Sequence, residues 1–107
     1  MSTKSGTIEF INGNAVIVEK RDEKTLLVFE IQLSAETCAK LFSPGESVRY
    51  TVLWTNGWEG EGADVIDRTG KSHRAHMAIY YVGKARSISG IADDLNVDED
   101  QLGFQNL

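Results

Sequence analysis

The sequence predicts an all-β protein: a small Greek-key barrel with one short internal helix and a C-terminal strand–helix extension. Two observations predict this fold. Short runs of β-branched and apolar residues, separated by turn residues, fill the first two-thirds of the chain. A single helical pattern interrupts them near the middle. We expect one domain over residues 1–107, with a barrel core at 4–67, an extension at 68–97 and a loosely held acidic tail at 98–107.

The first three strands are predicted at residues 7–11, 15–18 and 25–33. Asn12-Gly13-Asn14 separates the first two, and these residues fit either a tight hairpin or one long strand pair with a bend. A charged loop at 19–24 leads into the third strand.

The internal helix is predicted at 34–42, where Ser34 offers an N-cap oxygen and apolar residues follow at helical spacing. Pro44-Gly45 ends the helix and turns the chain. The helix includes Cys38, the one cysteine of the chain, which we expect to be a small buried thiol rather than a nucleophile.

Three further strands follow, at 47–54, 63–66 and 77–82, with a hairpin signal at Asn56-Gly57. A last helix at 87–95 is expected to pack on the barrel or on a partner. We expect five apolar side chains to point into the barrel: Ile8, Val16, Val48, Val52 and Val65.

Composition excludes several functional classes. The hydrophobic fraction of 41% is that of a folded domain, and the net charge of −5 disfavours coating nucleic acid by charge alone. The chain has no apolar leader and no apolar run long enough for a membrane span, which predicts a cytoplasmic protein without a membrane partner.

No catalytic arrangement is recognisable, so we expect a non-enzymatic protein without a cofactor. His73 and His76 form an H-x-x-H pair. Zinc needs three or four ligands, and no further histidine or nearby cysteine exists, so no metal site is predicted.

The order of predicted elements is that of an OB-type Greek-key barrel, and three segments resemble bacterial cold-shock domains. Residues 6–12 (G-T-I-E-F-I-N) resemble the opening G-[TV]-[IV]-K-W-F-N. Residues 43–52 resemble E-x-G-x-x-V-x-F-x-V, and Ala63-Asp64-Val65 is similar to the A-x-N-V closing strand. The resemblance covers about residues 4–67, and it implies a face that stacks single-stranded bases.

The residues that would form that face are largely replaced. The family motifs K-G-F-G-F-I and V-F-V-H-F present rings, a lysine and a histidine, whereas residues 14–18 hold no aromatic side chain. Glu9 stands at the first-strand lysine position, and Glu30 lies near the histidine position. Of the base-stacking aromatic residues of the family, only one is plainly matched in this sequence, by Phe10 at the tryptophan position. Each aromatic side chain that is lost removes ~1–3 kcal/mol of binding free energy, the contribution of stacking one base. The carboxylates of Glu9 and Glu30 would also repel phosphates.

We therefore expect a binding module that acts through a protein partner, as a regulatory or interaction protein. Trp54 and Trp58 flank the Asn56-Gly57 turn, where they either anchor a ligand, cap the barrel end or pair across the two strands. The candidate partner-binding residues are Glu9, Phe10, Phe29, Glu30, Trp54 and Trp58.

The alternative is a single-stranded RNA- or DNA-binding protein that uses a shifted basic and aromatic surface. The basic stretch after residue 67 is followed by two tyrosines, although it also fits a solvated loop that leads into a strand. The candidate residues for this alternative are Trp54, Trp58, Arg68, Lys71, Arg74, Tyr80 and Tyr81.

Overall fold

The computed structural model describes residues 3–55, 61–85, 87–98 and 101–102, and of Trp54, Thr55 and Glu61 it describes the backbone. These residues form a closed antiparallel β-barrel with two short helices, which confirms the predicted all-β fold. The elements are β1 (Thr3–Ile11), β2 (Asn14–Lys20), β3 (Thr25–Ile31), α1 (Ala35–Leu41), β4 (Ser47–Thr55), β5 (Glu61–Ile66), β6 (Ser72–Val82) and α2 (Ile88–Leu95).

The strand order around the barrel is β1-β2-β3-β6-β5-β4, and β4 pairs back onto β1. Strands β1 to β3 form a meander, and the connection through α1 brings β4 beside β1, which is a Greek key. Strand β6 lies between β3 and β5. The segment expected as an extension therefore supplies the strand that closes the barrel.

The β1–β2 connection is a tight hairpin, the first of the two predicted alternatives. Asn12 and Gly13 both have positive φ angles, 52° and 84°, as a two-residue type I′ turn requires. The predicted hairpin at Asn56-Gly57 lies outside the described residues, as does Trp58.

Helix α1 covers one end of the barrel. It begins after Ser34, whose Oγ accepts a hydrogen bond from the Thr37 N–H at 3.2 Å. Its apolar side chains, with Cys38 fully buried, complete the inner core, so the buried thiol is confirmed. Ile8, Val48 and Val65 belong to this core as predicted, and Val52 packs against it.

A second buried cluster lies outside the barrel, where α2 packs on the outer faces of β2, β3 and β6. Ile88, Ile91 and Ala92 of α2 belong to it, as does Val16 of β2. The expectation that Val16 points inward was wrong: Ala15 and Ile17 take the inner positions of β2, and strand side chains alternate. In the described part of the chain, no helix has the length and apolar character needed to cross a membrane.

Candidate interaction surfaces around strand β1

Strand β1 changes partner halfway along its length. Residues 3–7 pair with β4, and residues 8–11 pair with β2. Gly6 lies just before the change, and a Cβ there would stand 2.7 Å from Ile17 Cγ2 and 2.9 Å from Tyr50 Cε1. Glycine therefore allows β1 to approach both neighbours closely. Each half of β1 keeps one open edge, so one opening lies on either side of the strand.

The first opening, here called the Phe10 groove, is lined by residues 7–12, Pro44, Gly45 and Ile88 and has a volume of about 490 Å³. On this side the pairing of β1 with the β4 segment ends at Ile8. Its N–H donates to the Glu46 carbonyl, and its carbonyl accepts from the Gly45 N–H, both at 2.8 Å. The chain then turns away from β1 at Pro44.

Phe10 continues this open edge. Main-chain groups alternate in direction along a strand, so the N–H and C=O of Phe10 point to the same side as those of Ile8. Neither group has a hydrogen-bond partner among the described residues. The groove thus offers one unpaired donor and one unpaired acceptor to a ligand.

The side chains of the groove are mostly apolar. The half-buried ring of Phe10 packs against the inner core, whereas Ile11 and Ile88 belong to the outer core. Glu9 is the one charged residue among the described residues that line the groove. Glu9 and Phe10 lie on opposite faces of β1, as neighbours in a strand must.

On the outside of the barrel, Glu9 and Glu30 lie on either side of an aliphatic position. Glu9 lies opposite Val16, which lies opposite Glu30, and Glu30 lies opposite His76. Burial raises the pKa of Glu30, and Asn14 Nδ2 donates to its Oε1 at 3.3 Å. Because α2 covers Val16, the chain itself buries the aliphatic part of this face.

The structure does not gather all the candidate partner-binding residues. Phe29 is fully buried in the inner core, where its ring centroid lies 6.3 Å from that of Tyr50, so it offers no surface to a partner. Trp54 belongs to β4 by its backbone. Glu9 and Phe10 meet at the groove, and Glu30 lies across Val16 from Glu9.

The basic residues of the alternative surface are largely engaged within the chain. Arg68 donates to the Leu41 carbonyl at 3.2 Å and to Ser43 Oγ at 3.1 Å, and its guanidinium lies 3.5 Å from Glu46. Arg74 donates to Asp64 at 3.0 Å. Lys71 remains an exposed cation at the β5–β6 turn.

The two tyrosines of that surface have different surroundings. The Tyr81 hydroxyl donates to Asp94 of α2, and this bond raises the pKa of Tyr81. Tyr80 is about half exposed on the neighbouring strand position. Within the described residues, the basic and aromatic side chains therefore do not form one continuous platform.

The two histidines are separated. His73 lies against Asp67, with 2.6 Å between Nε2 and Oδ2, and His76 lies on the outer face. The described residues hold no group of three side chains suited to a metal ion.

The second opening, here called the Glu19 cleft, lies between residues 3–7 of β1 and the end of β2, and has a volume of about 590 Å³. Three of its lining residues are buried: Glu19, Leu26 and Tyr50. Lys4 Nζ and Arg21 Nη2 both donate to Glu19 Oε1, at 2.7 and 3.3 Å. The other oxygen, Oε2, is buried and has no hydrogen-bond partner among the described residues.

Sequence reasoning placed Glu19 in a charged loop and missed this site. A signal was present, because Ala15, Ile17 and Glu19 follow the two-residue period of inward positions on β2. Burial raises the pKa of Tyr50 well above its ordinary value, and the charge of Glu19 raises it further.

Comparisons with protein-family models, curated proteins and solved structures found no match to this chain. Function is therefore inferred from its own geometry.

Proposed function

We propose that this chain is a non-enzymatic protein-interaction module that binds an extended segment of a partner protein in the Phe10 groove. One observation carries the proposal: the N–H and C=O of Phe10 face the groove without a partner among the described residues. A partner strand supplies the matching acceptor and donor, as in other cases of strand addition to a sheet edge. The partner strand would lie beside residues 8–11 of β1, in the place that β4 would occupy if the chain did not turn away at Pro44.

The lining of the groove indicates what the partner segment carries. Side chains of an added strand alternate between two faces, so one face meets the Phe10 ring and the other meets Ile11 and Ile88. The expected segment is therefore extended and apolar, which distinguishes it from a nucleic acid.

The same proposal treats the barrel as a diverged cold-shock domain whose base-stacking face is lost. Three features support this. Apart from Phe10, the aromatic positions of that face are largely lost, Glu9 and Glu30 lie on either side of Val16, and α2 covers Val16 between them. A protein-binding groove beside β1 then takes over as the working surface.

A test uses random peptides displayed on phage and selected on the intact chain, followed by calorimetry with Phe10→Ala and Phe10→Pro. The Phe10 N–H takes no part in the β1–β2 ladder, so proline removes the groove-facing donor without breaking a hydrogen bond of that ladder. We expect Phe10→Pro to bind the selected peptides about fivefold more weakly than Phe10→Ala, the effect of losing one hydrogen bond.

The matched control is Ser5→Pro, which removes an N–H of β1 that faces away from the groove and should leave peptide binding unchanged. Circular dichroism checks that every variant is folded. Equal peptide affinities of Phe10→Ala and Phe10→Pro would show that strand addition is not the binding mode. Selected peptides that shift only resonances remote from residues 7–12 would reject the groove itself.

A further inference from the structure

The second half of strand β6 supports an inference that is independent of the proposed function. Residues 72–76 of β6 pair with β5, whereas residues 75–82 pair with β3. Beyond His76, β6 therefore has a neighbouring strand on one side only among the described residues. The open side of residues 77–82 is here called the β6 edge.

Main-chain groups of two residues face the β6 edge. The Gly83 N–H donates to the carbonyl of Lys24, the residue just before β3, so the main chain of Gly83 is directed toward β3. Main-chain direction alternates along a strand, and the tyrosine at position 81 is paired with β3 in the same way. The N–H and C=O of Tyr80 and Val82 consequently point away from β3. None of these four groups has a hydrogen-bond partner among the described residues.

The side chains along the β6 edge are apolar and exposed. Tyr80 is 50% exposed and Val82 is 62% exposed, and both lie on the same face of β6. They are two of the three large hydrophobic residues that are exposed in the described part of the chain. Residues 77–82 include no charged residue and no proline, the features that commonly protect an open strand from other chains. An unprotected apolar edge of this kind indicates that another strand covers it.

We propose that the β6 edge pairs with the same edge of a second copy of this chain, antiparallel and around a twofold axis at Tyr81, to form a weak homodimer. In this register Tyr80 lies opposite Val82 of the second copy, and Val82 lies opposite the second copy's Tyr80. Each of these two residue pairs exchanges two main-chain hydrogen bonds, so every main-chain group that faces the edge gains a partner. Each exposed tyrosine ring also contacts a valine, a favourable cross-strand pair.

Charge and strand length fit a second copy as the occupant. The edge carries no charge between His76 and Lys84, so two chains of net charge −5 meet there at a neutral stretch. Strand β6 ends at Val82, so the strand of the second copy ends opposite Tyr80, before it reaches the part of β6 that pairs with β5.

The small size of the contact sets its strength. About three residues of each copy take part, far fewer than the ~20–30 residues on each side of a stable interface. The dimer is therefore weak and reversible, and it forms only at high protein concentration.

Sedimentation equilibrium of the wild-type chain from about 10 µM to about 1 mM measures this association. We expect the average mass to rise toward that of a dimer and no further, because the twofold contact uses the whole edge. The amide resonances of Tyr80 and Val82 should shift over the same range of concentration. A chain that is still monomeric at about 1 mM, or that grows beyond the dimer, would overturn the proposal.

A lysine on the edge tests its position. Val82→Lys places a charge at the twofold contact and should abolish the dimer. The matched control is Leu95→Lys, the same substitution at a leucine of α2 that is 52% exposed and lies away from the edge, which should leave the dimer intact. Equal effects of the two lysines would reject the β6 edge. A dimer that persists in Val82→Lys and is lost in Phe10→Ala would place the contact in the Phe10 groove instead.

Val82→Pro tests the main-chain pairing. The Val82 N–H does not face β3, so proline removes an edge-facing donor without breaking a hydrogen bond of the β3–β6 ladder. Each dimer loses two hydrogen bonds, and we expect its dissociation constant to rise at least about fivefold. An unchanged dissociation constant would show that the two strands do not pair. Circular dichroism checks that each variant is folded, and the wild-type resonance shifts decide the matter if one is not.

Discussion

His73 Nε2 lies 2.6 Å from Asp67 Oδ2, and the side chain of Asp67 has no exposed surface. The other oxygen of Asp67 accepts the N–H groups of Thr69 and Lys71, so one carboxylate holds both the β5–β6 turn and the inward side of β6. The His73 ring in turn meets the edge of the Phe42 ring, with centroids 6.1 Å apart. This cluster joins the last two barrel strands to the segment that ends α1.

The first prediction concerns acid stability. Hydrogen bonds from Thr69 and His73 hold the pKa of Asp67 well below its usual range. A carboxyl with a lowered folded-state pKa adds stability above its unfolded pKa of about 4, and this stability is lost as the pH falls below that value. We expect the urea midpoint of the wild type to drop below about pH 4, and that of Asp67→Asn to be lower at neutral pH and to change less with acid.

Asp64→Asn is the matched control for this experiment. Asp64 is a neighbouring aspartate whose ion pair with Arg74 is exposed, so its loss should change stability little. If Asp64→Asn and Asp67→Asn have the same midpoint at neutral pH, the hydrogen bonds to Asp67 contribute nothing.

The second prediction concerns the outer core. Ile91 of α2 is fully buried against the barrel, and we expect Ile91→Ala to lower the free energy of unfolding by about 2–5 kcal/mol. Leu95 lies on the same helix and is 52% exposed, so Leu95→Ala should change it by less than about 0.5 kcal/mol. Urea denaturation measures both, and equal values would mean that α2 does not pack as described.

The third prediction concerns the point at which β1 changes its pairing partner from β4 to β2. Gly6→Ala places a methyl group 2.7 Å from Ile17 Cγ2, which should destabilise the fold by about 1–3 kcal/mol through overpacking. Ser5→Ala, at the adjacent exposed position, should be nearly neutral. A Gly6→Ala variant as stable as the wild type in thermal denaturation would show that the strands can separate there without cost.

The fourth prediction concerns nucleic acid. With most stacking positions lost, each worth ~1–3 kcal/mol, we expect poly-U to bind more weakly than ~10 µM at physiological salt. Fluorescence anisotropy measures this affinity. The alternative surface would be favoured instead by submicromolar binding that weakens with salt, with a log–log slope of ~0.7 per contacted phosphate. That binding should also be lost when the charges of Arg68, Lys71 and Arg74 are reversed.

Local patterns were sufficient for most of the fold. The β-branched runs and the Ser34 cap predicted the strands and α1 to within a few residues. The beginning of β6 was hidden because only His73 and Ala75 face inward there, and neither resembles a typical core residue. Such a strand is recognisable once its neighbours, β3 and β5, are known.

The candidate site depended on information that no local pattern holds. Phe10 was a candidate from the sequence, but its open edge arises because β1 exchanges β2 for β4 as its neighbour, which involves residues far apart in sequence. Glu19 was assigned to a charged loop, since its partner Lys4 precedes it by 15 residues and no local pattern connects the two. The error at Val16 was a shift of one residue in the assignment of inward and outward positions on β2. Such a shift reverses the face of every side chain in a strand.

The position of β6 also bears on how the chain reaches its folded state. Until residues 72–82 are made and docked, β3 and β5 present unpaired edges, and the earlier meander lacks the cover that α2 later provides. Closure then needs contacts between β3 and β6, which are separated by about half of the chain, a slow step in β proteins. A nascent chain emerging from the ribosome would therefore pass through a stage with exposed sheet edges, when premature association with other chains competes most strongly with folding.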